Sequence, residues 1–130
     1  VGSGAIRRRL ALAAAVLTAS GALAFTAAGT AQAVTAHGCA GREVRTLPFR
    51  TGTTYVYRHG GYLCVVTVTR RPGTTSTMSV SVQARGNRPV VDKGRYKYYA
   101  GPVVVHAGHR CVRIKGAVGR YAVSSGWILC

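Results

Sequence analysis

Carboxylates are almost missing: Lys+Arg 18 stand against Asp+Glu 2 in 130 residues. The two are Glu43 and Asp92. General acid–base catalysis built on paired carboxylates is therefore poorly supplied. There is no G-x-S-x-G nucleophile elbow, so a Ser-His-Asp triad drawn from Asp92 and His106 lacks a recognisable seat for its serine. No two cysteines lie within four residues of each other, which is the wrong spacing for a zinc site. No basic amphipathic helix is present to lie in a membrane interface. No helical pattern of useful length follows the first segment of the chain, and no internal repeat is clear. The phrases at 58–66 and 106–114 (RHGGYLCVV and HAGHRCVRI) share only a His, a Gly and a Cys entering a strand. The length allows one small domain.

What is present begins with a leader. Arg7, Arg8 and Arg9 form a positive start, residues 10–28 carry no charge, and Ala31-Gln32-Ala33 is a small-x-small cleavage site. This predicts a secretory signal peptide over 1–33 and a single secreted β domain over 34–130. Roughly 20 apolar residues would span a bilayer. The stretch is alanine-rich and runs straight into the cleavage site, so no transmembrane anchor is expected after cleavage. The leader takes three arginines with it. Residues 34–130 keep 15 basic and 2 acidic residues, a net +13, and 12 of the 15 are arginine.

All four cysteines, Cys39, Cys64, Cys111 and Cys130, fall after the cleavage site. In a short exported domain they read as two disulfides. Three pairings are open. The most local joins Cys39 to Cys64 and Cys111 to Cys130, each closing a loop worth about 3 kcal/mol.

Strand signals fill the rest. Tyr62 to Thr69 is β-branched and aromatic, buried on both faces at first and then at Val66 and Val68. Met78, Val80 and Val82 alternate with Ser79, Ser81 and Gln83, the pattern of a half-buried strand. Val103–Val105 and Cys111–Lys115 add two more, the latter with Val112 and Ile114 inward. Thr53–Arg58, Tyr121–Val123 and Trp127–Leu129 are shorter candidates. His59-Gly60-Gly61, Arg71-Pro72-Gly73, residues 85–89 and Ala107-Gly108-His109 are turn-like separators. The expectation is an all-β fold, a small disulfide-stabilised sandwich or barrel of about seven or eight short strands.

The charge predicts attraction to polyanions: nucleic acid, teichoic acids, anionic headgroups or an acidic protein. The arginines are scattered in sequence, so charge makes a site only if the fold gathers it. Arg85, Arg88, Arg95, Lys97 and Tyr99 form the candidate basic and aromatic contact patch, chosen on proximity in sequence. If Arg95 to Tyr99 were one strand, Arg95, Lys97 and Tyr99 would share a face. Tyrosines beside cations can stack on bases or sugars, but a tyrosine face packed on a core is the plainer reading. Glu43 and Asp92 are flanked by cations and are expected to ion-pair with them. His37, His59, His106 and His109 are the candidates for ribonuclease-like acid–base work. His106 and His109 flank a turn and are at most weak metal ligands. Residues 85–89 also suit an inhibitory loop. No catalytic residues, metal site or cofactor are expected.

The order of motifs resembles a known family. A cysteine soon after the cleavage site is followed by the Gly-Tyr-Cys-Val-Val-Thr segment within residues 60–67. YYAGPVVVHAGHRCVRIKG over 98–116 and the closing Cys130 complete the pattern. This is similar to the small secreted spore-associated protein A family of streptomycetes and related actinomycetes. The leader, with Val1 where a GTG start codon read literally would put it, suits such a high-GC source. The resemblance covers about residues 38–130. It implies an exported, cysteine-bridged β domain associated with aerial hyphae or spore surfaces, with no catalytic residues to carry over. The chain departs from the pattern in its charge, with Arg113, Ile114 and Lys115 in the segment after the third cysteine. The resulting expectation is a secreted, non-enzymatic, surface-associated binding protein. Its partner would be an anionic cell-wall or spore-surface polymer or a secreted protein; nucleic acid would bind only nonspecifically. A small secreted ribonuclease-like enzyme and an adaptor subunit of a larger secreted toxin assembly are the alternatives.

Overall fold

The computed structural model describes residues 37–130, and the leader at 1–33 lies outside them. Eight strands follow one another: β1 (Arg42–Phe49), β2 (Gly52–His59), β3 (Tyr62–Thr69), β4 (Ser76–Ala84), β5 (Val90–Tyr96), β6 (Tyr99–His106), β7 (Val112–Val118) and β8 (Tyr121–Ile128). They pair antiparallel into two four-stranded sheets, ordered β1-β2-β3-β6 and β5-β4-β7-β8. The fold is a β-sandwich. Among the described residues no helix is long and apolar enough to cross a membrane.

The sheets meet over alternating side chains, because successive strand residues point to opposite faces. Val56, Leu63, Val65, Ala100 and Val103 from the first sheet pack against Met78, Val80, Val82, Val112, Ile114 and Val118 from the second. The inward face of β4 matches the sequence reading. The inward face of β3 does not: the side chains turned toward the other sheet are Leu63, Val65 and Thr67. Val66 is also fully buried, but on the outer face, with Cys39, Cys64 and Tyr57, and Val68 packs there half-buried. Thr67 escapes a hydrophobic pattern because it is polar. Its hydroxyl is satisfied inside the core by Thr54, with Oγ1 atoms 2.8 Å apart. The backbone of Gly116 on β7 faces this pair.

Two strands escape the sequence signals because they lie at sheet edges and bury little. β1 carries three charges and a proline, which an edge strand tolerates. β5 alternates too, but with Lys93 and Arg95 outside and Asp92, Gly94 and Tyr96 inside. The two short candidates near the C-terminus are one strand, β8, interrupted by a bulge. There Ser125 Oγ accepts the Ile114 N–H at 2.9 Å. The disulfides join Cys39 to Cys64 and Cys111 to Cys130, the most local pairing.

Neither carboxylate forms the expected pair with its flanking cations. Glu43 accepts a hydrogen bond from Thr46 Oγ1 at 2.7 Å. Asp92 turns inward while Lys93 turns out, since neighbours on a strand face opposite ways. Its oxygens accept from the Tyr96 hydroxyl at 2.6 Å and the Gly101 N–H at 2.8 Å. Asp92 thus ties β5 to β6 where the chain passes between sheets.

These contacts predict an alkaline limit to stability. The hydrogen bond to Asp92 raises the Tyr96 phenol above its ordinary 10.0. Burial, then the charge of Glu43, raises Tyr57 in the same direction. An acid whose pKa is raised by folding loses its proton more readily when unfolded. The contribution is complete below about pH 10 and fades as pH climbs through the folded values. Melting temperature should therefore fall above about pH 10, and Tyr96→Phe should flatten that fall. An identical alkaline profile for the variant would refute the role given to Tyr96.

Candidate anion-binding cleft

Hairpin connections alternate between the two ends of the sandwich. At one end lie the β1–β2 turn, the β3–β4 loop, the β5–β6 turn and the β7–β8 turn. Each carries a cation: Arg50, then Arg70 with Arg71, then Lys97, then Arg120. A cleft of about 470 Å³ opens there, lined by Arg50, Arg70, Arg71 and Arg120 together with Thr51, Thr69, Thr74, Ser76 and Tyr121. Neither carboxylate of the protein lines it.

Hydrogen bonds between loops hold the cleft in shape. Thr51 Oγ1 donates to the Val118 carbonyl at 2.7 Å. The Arg70 N–H donates to the Thr51 carbonyl at 2.9 Å, and the Arg71 N–H to Thr69 Oγ1 at 3.1 Å. Gly119, at φ 64, makes the β7–β8 turn and anchors it by donating to the Thr77 carbonyl at 2.8 Å. A left-handed φ favours glycine at that position. The Arg50 guanidinium rests 5.0 Å from the centroid of the Tyr121 ring.

Arginine stays protonated at any physiological pH. Four guanidiniums around one concavity hold a strong positive field, focused by the low-dielectric body below. Their planar forks pair bidentately with phosphate or carboxylate, and the threonine and serine hydroxyls add neutral donors. Such a lining can take up an anion with several oxygens.

The structure distributes the residues of the sequence-based patch. Arg95 lies on the outer face of the second sheet, and Lys97 in the turn at the cleft end, where its carbonyl accepts from the Gly73 N–H at 2.9 Å. Arg85 and Arg88 lie at the opposite end, about 20 Å away along β5. The Arg85 guanidinium sits 4.8 Å from the Trp127 ring centroid, and Arg113 contacts the same ring at 4.4 Å. Tyr99 projects from the outer face of the first sheet, 5.8 Å from the His37 ring. Arg95 and Tyr99 do not share a face as one strand would require, because the chain turns at Lys97-Tyr98 and changes sheets. The four cleft arginines lie outside that patch because they come from three connections far apart in sequence.

His59, His106 and His109 lie at the end away from the cleft, with His106 packed edge-on to Tyr62 at 5.0 Å. No group of three or more His, Cys, Asp or Glu side chains among the described residues is placed to hold a metal ion.

No protein-family model matches the chain. No solved structure matches it either. It is similar to Spore-associated protein A of Streptomyces coelicolor, with 34% identity over 108 residues, 80% of this chain and 70% of that relative. With the all-β fold and both disulfides in place, this likeness is sufficient: the chain belongs to the spore-associated protein A family.

Proposed function

We propose that this protein is an exported, non-enzymatic binding protein of the cell or spore surface, and that it holds an anionic envelope polymer in the arginine cleft. The observation that carries this reading is the convergence of Arg50, Arg70, Arg71 and Arg120 from three separate connections around one concavity. Export rests on the leader, and the surface setting on the relative's name. The non-enzymatic reading is supported by the use of both carboxylates as hydrogen-bond acceptors within the fold.

The test is retention of the mature chain on purified envelopes. Four cations that displace counterions should weaken binding by about 10- to 100-fold between about 50 and 200 mM salt. The variant R50Q/R70Q/R71Q/R120Q should elute early and lose most of that salt dependence. Retention that ignores salt, or a variant that binds as the parent does, would overturn the reading.

A further inference from the structure

The outer face of the second sheet starts beside the cleft, at Thr77. Along β4 the outward side chains are polar, short at Thr77, Ser79 and Ser81 and long at Gln83, which closes the far end by donating to the Asn87 carbonyl. The strands on either side carry long cations. Register sets Arg95 opposite Thr77 and Lys93 opposite Ser79 on the β5 side, and Lys115 opposite Ser81 on the β7 side. Lys93, Arg95 and Lys115 are exposed, and Arg113 continues the β7 wall. The cations stand on the β5 side over Thr77 and Ser79 and on the β7 side over Ser81 and Gln83, with Ala117 and Val91 at the facing positions over Ser79 and Ser81, which leaves a shallow trough crossed diagonally by charge. Its walls stand about 10 Å apart, two strand spacings, and its floor of short side chains runs about 14 Å, from Thr77 to Ser81. Ser76, the first residue of β4, lines the arginine cleft with the inward parity of Met78, and the outer face starts at the next residue, Thr77, beside the cleft. Asp92, the acidic residue of β5, turns to the inner face, which leaves this outer face without a carboxylate.

We infer that the ligand is a linear polyol-phosphate chain that enters the cleft and lies along β4. The inference rests on the anion-binding reading of the cleft and extends it to the shape and chemistry of the ligand. A small anion needs one pocket; a row of cations spaced along β4, first Arg95 and Lys93 and then Lys115 and Arg113, matches charges that repeat along a chain. Hydroxyls on the floor match hydroxyls between the phosphates. A single-stranded nucleic acid would want aromatic platforms for its bases. The trough floor has none, and the ring of Trp127 at its far end is engaged by Arg85 and Arg113.

The experiment measures binding of the mature chain to poly(glycerol phosphate) long enough to run the strand, and to a fragment that fills only the cleft. The variant K93Q/R95Q/K115Q changes exposed side chains, and R50Q/R70Q/R71Q/R120Q empties the cleft of charge. The trough variant should lose about tenfold or more in affinity for the long chain. It should bind the fragment as the parent does. The cleft variant should lose both. Unchanged long-chain binding by the trough variant overturns the trough while leaving the cleft intact. A parent that binds neither phosphate ligand overturns both readings. Equal or tighter binding of a single-stranded oligonucleotide with the same number of phosphates overturns the polyol assignment.

Discussion

Gly116→Ala is expected to destabilise the domain by about 3 kcal/mol or more. A β-carbon at this position would fall on Thr54 Oγ1 and press on Thr67 Oγ1. Both threonines are fully buried and bonded to each other. Displacing one hydroxyl therefore strains the packing and also breaks a buried hydrogen bond. The methyl cannot be absorbed by sliding a sheet, since Gly116 pairs with Val80 on one side and Val123 on the other. Thr54→Ala in the same background makes room for the methyl and should recover part of the loss, though it leaves Thr67 without its partner. Urea unfolding of the two single variants and the double variant measures this coupling. A Gly116→Ala protein with the parent's midpoint would remove the close sheet-to-sheet approach from the account.

Removing the first disulfide is the second large effect. Cys39→Ala with Cys64→Ala should cost about 3 to 4 kcal/mol through the freed unfolded chain, since the link spans 25 residues. A packing loss adds to this. Cys39 is completely buried and forms, with Cys64, Tyr57 and Val66, the small cluster on the outer face of the first sheet. Cys111→Ala with Cys130→Ala should cost about 3 kcal/mol from a span of 19 residues, with little packing loss because Cys130 is exposed. The first double variant should therefore unfold at lower urea than the second. The opposite order would show that the Cys39 cluster contributes little.

Several features were readable from the residues in order. β4 announced itself because it is central, with one face against the other sheet and one in water; strict alternation of Val and Ser follows. β3 gave its strand type but not its inward face, because both faces are covered. Leu63 and Val65 meet the other sheet, and Val66 lies within the tyrosine and disulfide cluster. β1 and β5 were not read as strands because edge strands bury little and need no apolar period. The family was legible in the segment from Tyr98 to Gly116, where a strand, a turn and a cysteine-bearing strand follow in fixed order.

The candidate site was not legible. Arg50, Arg70, Arg71 and Arg120 are spread over 71 positions of sequence and meet only because alternate connections of an antiparallel sandwich come to the same end. Arg85 and Lys97, much closer in sequence, are sent to opposite ends by the intervening strand. Composition fixed the size of the positive charge, the leader and cysteines fixed the expectation of an oxidised exported domain, and alternation fixed the all-β class. All of these depend on residues counted or compared with near neighbours. The tertiary structure alone decided which cations share a cleft, which sheet face carries a trough, and that both carboxylates serve the fold. Those outcomes depend on strand pairing and sheet order, which bring distant residues within reach of one field.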